Sequence, residues 1–181
     1  MFSIGVSPFT VQLIGFVALG VGMLVYQFNT RKQILTILSL ASLLFSIQFF
    51  LLGAYSGAVL NAINVARNYA FYKYRYRAWS AIVLWGFIAI FCIATILTWQ
   101  GPLSLLPAIG MISGAFANWQ PKAKHIRLLS LISPPAWFVY AVAVHSYAGM
   151  IGEVLILSSI LVGMYRFDRR SKKVDAPPVL P

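Results

Sequence analysis

Apolar runs alternate with short polar connections along most of the chain. The runs cover approximately 9–28, 34–53, 55–72, 79–98, 102–119, 127–145 and 148–165. Each approaches the roughly 20 residues that a helix needs to cross the hydrocarbon core of a bilayer. The pattern therefore predicts an all-α polytopic membrane protein with seven transmembrane helices, and leaves no room for a separate soluble domain. Composition agrees: 60% of residues are hydrophobic and 9% charged, with a mean hydropathy of +0.83, where a soluble domain carries roughly a quarter charged residues.

The connections alternate in kind. Arg31 and Lys32 occupy the first, Lys73, Arg75 and Arg77 the third, Lys122, Lys124 and Arg127 the fifth, and Arg166, Arg169, Arg170, Lys172 and Lys173 follow the last run; the second, fourth and sixth connections have no Lys or Arg. Cytoplasmic loops concentrate Lys and Arg, so the N-terminus is expected outside and the C-terminus in the cytoplasm. Tyr72, Tyr74, Tyr76, Trp79 and Trp119 fall at the inner boundary and Tyr55, Trp99 and Tyr147 at the outer one, as an interfacial aromatic belt requires. No basic n-region precedes the first run, so no cleavable signal peptide is expected. The tail from 171 to 181, SKKVDAPPVLP, is charged and Pro-rich and is expected to be disordered.

A net charge of +11 invites a nucleic-acid reading, but the cations are spread over four cytoplasmic edges, where topology and anionic headgroups already account for them. Neither a nucleic-acid partner nor a cofactor is expected. Cys92 is the one cysteine and excludes a disulfide framework. No G-x-x-x-x-G-K-[ST] run is present, so this chain does not hydrolyse ATP through such a loop. Two histidines and three acids, none clustered, form neither a usual zinc site nor a Ser, His and Asp constellation. An enzyme is not expected. His125 and His145 read as interfacial, and Trp85 and Phe87 as lipid-facing or core.

Residues 13–73 laid over 105–165 with an offset of 92 need no gaps. Ala18 and Gly22 fall on Gly110 and Gly114, Lys32 on Lys124, Tyr55 on Tyr147, Gly57 on Gly149, and Asn61 on Glu153. Small residues four apart let helices approach closely. The expected arrangement is one transmembrane domain over 1–170: repeat one at 9–72, a linker helix at 79–98 and repeat two at 102–165. This 3+1+3 parallel repeat is the plan of SWEET-type transporters, whose sites lie at the midplane between repeats.

The runs FFLLGAYSGAVLNAINVAR (49–67), SLLPAIG (104–110) and IGEVLILSSILVGMYRF (151–167) resemble the YgjV family of bacterial inner-membrane proteins. The likeness covers the chain to about residue 170, and implies a multi-pass protein of the bacterial inner membrane. That family is in turn similar to the SWEET and PQ-loop (MtN3-like) group, which implies a transporter-like fold without naming a substrate. SWEET proteins commonly carry Asn at a similar depth in the third span of both repeats, where this chain has Asn61 and Glu153. They also carry hinge prolines in both halves. Here Pro107, Pro134 and Pro135 are candidates in the second half, but Gly15, Ser42 and Leu43 stand at the matching places in the first, so a symmetric hinge is not expected.

The chemistry concentrates in the third run. At about 100° per residue, Asn61, Asn64, Arg67 and Asn68 fall within an arc of about 120°, so one face of this helix is polar and should turn away from lipid. Intramembrane charges mark functional sites by default. Arg67 is expected to attract an anionic group or to snorkel to headgroups, and the three amides to bind a solute or to join helices. Glu153 either pairs with Arg67 or takes up and releases a proton during transport. Trp137, in the SPPAW run of a kinked sixth helix, is a packed ring or a cavity wall. The substrate-binding set is thus Asn61, Asn64, Arg67, Asn68, Glu153 and Trp137. The expected function is secondary or facilitative passage of a small polar solute, anionic ones among the candidates, by alternating access. A membrane receptor or partner-binding subunit is the alternative.

Overall fold

The computed structural model describes residues 6–24, 31–74, 80–120 and 123–165. The expected tail at 171–181 and the loop cations Arg75, Arg77 and Lys122 lie outside them. Among the described residues eight α-helices form seven rods: α1 (Pro8–Met23), α2 (Arg31–Leu51), α3 (Tyr55–Tyr74), α4 (Ser80–Leu97), α5 (Leu105–Trp119, preceded by the 3₁₀ turn Pro102–Ser104), the broken rod α6 (Ala123–Ser130) with α7 (Ser133–Ala143), and α8 (Tyr147–Gly163). Lys124–Ala143 is a stretch of 20 residues long and apolar enough to cross a membrane, and Pro8–Met23, Thr36–Leu51, Ala81–Leu97 and Tyr147–Gly163 are shorter apolar helices.

The break in the sixth rod follows from its two prolines. Pro134 and Pro135 have no N–H for the carbonyls of Ser130 and Leu131, and their rings crowd those carbonyls. Helix α6 instead ends with tightened bonds, Leu131 N to Leu128 O (3.3 Å) and Ile132 N to Leu129 O (3.4 Å). Pro107 sits in the first turn of α5, where a missing N–H leaves no gap in the helical ladder.

Six rods close a ring. Going round, α1 packs on α2, α2 on α3, α3 on α5, α5 on the α6/α7 rod, α7 on α8, and α8 back on α1. Helix α4 packs outside the ring, against α3 and α5. Its outer face carries Ile82, Trp85, Ile90, Ile93, Ile96 and Leu97, all exposed; α1, α2 and α8 likewise turn large apolar side chains outward. Arg67, Asn61, Asn68 and Gln48 are buried. An apolar exterior around buried polar groups suits a lipid solvent.

Two turns at the end of the ring that holds the N-termini of α3 and α8, here called the upper end, are built alike. After α2, Gly53 takes φ 73°, its N–H bonds to Phe50 O and that of Ala54 to Phe49 O, which is the Schellman closure of a helix. After α7, His145 takes φ 57°, its N–H bonds to Val142 O and that of Ser146 to Ala141 O. The two left-handed positions are 92 residues apart. So are the first residues of α2 and α6, the last of α2 and α7, and the first of α3 and α8. Histidine in this conformation is strained by roughly 1–2 kcal/mol relative to glycine. His145→Gly should therefore raise the thermal midpoint by about 2–8 °C in a melt of the purified protein; an unchanged or lower midpoint would mean that the imidazole has a contact of its own.

Candidate functional site

The ring encloses a cavity of about 650 Å³, within the range of small-molecule sites. Asn61, Asn64 and Arg67 reach it from α3, Trp137 and Pro134 from α7, and Glu153 from α8. Asn68 does not line it. No α4 side chain does so among the described residues.

Arg67 is 6% exposed, and the interior holds its guanidinium. Nη1 donates to Met111 O of α5 and Nη2 to Asn68 Oδ1, each at 3.4 Å, while the charge lies 5.7 Å from the Phe71 ring centroid and 6.0 Å from that of Phe91. The guanidinium is thus held in the interior among α3, α4 and α5 and does not snorkel to the headgroups. Both hydrogen bonds are longer than usual for N–H···O, and Arg67 Nε, like Asn64 Oδ1, is buried with no partner. Asn68 thus positions Arg67.

Among the described residues neither an ion pair nor a hydrogen bond engages the Glu153 carboxyl, so of its two expected roles the pairing with Arg67 is not made. Asn61 Nδ2 donates to Gly57 O in its own helix (3.0 Å) and Asn64 Nδ2 to Ser42 Oγ of α2 (2.9 Å), which leaves the amide oxygens. Asn64 thus joins helices as well as lining the cavity. Trp137 stacks on Phe49 with ring centroids 5.7 Å apart and meets Tyr140 edge-on at 5.9 Å.

The upper end is closed by groups that sequence reasoning passed over. Ser146 caps α8, accepting from Gly149 N (3.3 Å), and donates to Gln48 Oε1 of α2 (3.1 Å). Gln48 in turn reaches Gln12 of α1 (3.5 Å), which donates to His145 O (2.7 Å) and accepts from Tyr147 N (3.2 Å). On the other side, Gly57 N donates to Tyr140 Oη (3.0 Å), and a Cβ at Gly57 would lie only 2.6 Å from the Tyr140 ring. Each second rod thus plugs a polar side chain into the start of the third rod of the other half. Gln48 and Tyr140 are again 92 residues apart. The signal was present: Gln48 interrupts SLASLLFSIQFF as Arg67 interrupts its own run. Toward the lower end the lining continues through Asn118, Ser130 and Ser159, of which Asn118 and Ser159 are exposed.

A ring of lipid-facing helices around a buried polar cavity defines a multi-pass membrane protein. The family model for YgjV-type bacterial inner membrane proteins matches residues 9–171, and the chain belongs to that family. It is 28% identical over 170 residues to the inner membrane protein YgjV of Escherichia coli (strain K12), across 90% of this chain and 86% of that one. No solved structure matches it significantly. Its place is the bacterial inner membrane.

Proposed function

We propose that the chain is a secondary or facilitative transporter that passes a small polar solute by alternating access between two three-helix repeats joined by α4. The carrying observation is the cavity itself: one space inside the six-rod ring, sealed at the upper end by hydrogen bonds between the halves and lined by the polar residues Asn61, Asn64, Arg67 and Glu153. Passage, not reaction, suits such a space. The matched turns at Gly53 and His145, the reciprocal plugs of Gln48 and Tyr140, and the reciprocal contacts of α1 with α8 and α3 with α5 support a 3+1+3 parallel repeat with an axis along the membrane normal. The basic connections favour a cytoplasmic lower end and an N-terminus outside, so this conformation is read as inward-facing. The seam between halves is where movement is expected, and the α6/α7 break at Pro134 and Pro135 supplies a hinge in the second half alone.

The test is access from both sides. In a Cys92→Ser background, Asn118→Cys at the lower end should react with a membrane-impermeant maleimide from the cytoplasmic face only. Ala141→Cys, 1% exposed and facing the cavity near the seal, should react from either face, with a ratio that transported solute changes. Labelling of Ala141→Cys from one face only, indifferent to every solute, would instead support a receptor or partner-binding subunit.

A further inference from the structure

We infer that the solute is a small zwitterion, with a carboxylate that meets Arg67 and an ammonium that meets Glu153. This deepens the transporter reading and rests on it. The argument begins from depth. At 1.5 Å per residue, Glu153 lies six residues, about 9 Å, below the start of α8. Arg67 originates deeper, but its guanidinium reaches Met111 O and the Phe91 ring, and these residues lie about 9 Å from the upper ends of α5 and α4 by the same count. Asn61 is at that depth in α3. Both side chains border the same cavity, from α3 and α8, which stand opposite each other in the six-rod ring.

The two walls then narrow the class. A neutral solute leaves the Arg67 charge uncompensated, an anion meets Arg67 but leaves the Glu153 carboxyl unengaged, and a cation leaves Arg67 unengaged. A solute with a carboxylate and an ammonium gives each wall a partner. The protein holds Arg67 by two 3.4 Å bonds, and a carboxylate would replace them with shorter, charge-assisted ones. Phe45, Phe49 and Trp137 supply an apolar wall, so the class is an amino acid or a molecule of like size with an apolar side chain.

A leucine series tests this by isothermal titration on the purified full-length protein, with four probes: leucine, its methyl ester (cation), N-acetylleucine (anion) and N-acetylleucine amide (neutral). Leucine should bind, and each probe that lacks a charge should bind about tenfold more weakly or worse. Glu153→Gln should lose leucine but gain N-acetylleucine; Arg67→Gln should lose leucine and gain the ester. The comparison of probes on the unmodified protein stands even if a variant fails to fold. Binding of the anion as tight as that of leucine, or binding confined to the neutral probe or to a sugar, overturns the zwitterion and leaves the transporter standing. Silence to all probes and to sugars, carboxylates and nucleosides overturns both.

Discussion

Arg67→Met is expected to leave the protein as stable as the parent, or more stable, while weakening solute binding and uptake about 30-fold or more. The two halves of the expectation have separate causes. Arg67 is buried, makes two long hydrogen bonds and has an unpartnered Nε. Desolvating such a group costs several kcal/mol that loose bonds do not offset, and replacing buried ionic groups by apolar ones of similar volume is often neutral or stabilising by about 1–4 kcal/mol. Met also keeps contact with the Phe71 and Phe91 rings. Loss of a buried charge that meets a ligand, by contrast, costs about 2–5 kcal/mol of binding, and 2 kcal/mol is already about 30-fold. Thermal melts of the purified variant beside uptake into proteoliposomes separate the two effects. A site residue gives stability without function, as expected where function has been placed above stability. A variant whose midpoint falls by several degrees would make Arg67 a structural tie between α3 and α5, and the cavity would lose its principal ligand.

The lipid-facing exterior was legible because it repeats: each span must be apolar over about 20 residues, and the helices start and end within a few residues of the predicted boundaries except where connections are undescribed. The polar face of α3 was legible for the opposite reason. Asn61, Asn64, Arg67 and Asn68 are costly in lipid, and their spacing assigns them to one side. What they touch was not legible. Asn68 turns from the cavity to Arg67, the acceptor of Arg67 is a backbone carbonyl on α5, and Asn64 binds Ser42. Such partners depend on helix rotation and approach, which periodicity does not specify. Sequence reading placed His145 at an interface, and it is exposed at the end of its span, but the closing of a helix by its backbone, where the other half uses Gly53, was not legible. Glycine announces a left-handed turn and histidine does not.

The other large effect is expected at Gly110, on α5. A Cβ at this position would fall on Nε1 and Cδ1 of Trp137, so α5 and α7 approach closely only because the side chain is absent. The indole can yield only toward the cavity that it lines. Phe49 stacks on it, Tyr140 meets its edge, and Tyr140 is itself tied to Gly57 N. Gly110→Val must therefore move the ring, and with it the wall of the cavity and one of the two plugs at the upper end. Overpacking of this kind costs about 1–3 kcal/mol or more, which lowers the thermal midpoint by roughly 2–12 °C, and solute binding should disappear because the displaced indole occupies the cavity. Gly20→Ala is the control. Nothing lies within 4 Å of its added Cβ, and alanine in a helix interior gains about 0.5–1 kcal/mol over glycine, so this variant should melt at or slightly above the parent and keep its solute. A melt and a Trp fluorescence spectrum for each variant suffice. If Gly110→Val melts like Gly20→Ala and leaves the Trp emission unchanged, α5 and α7 do not meet at this glycine, and Trp137 is not a fixed wall of the cavity.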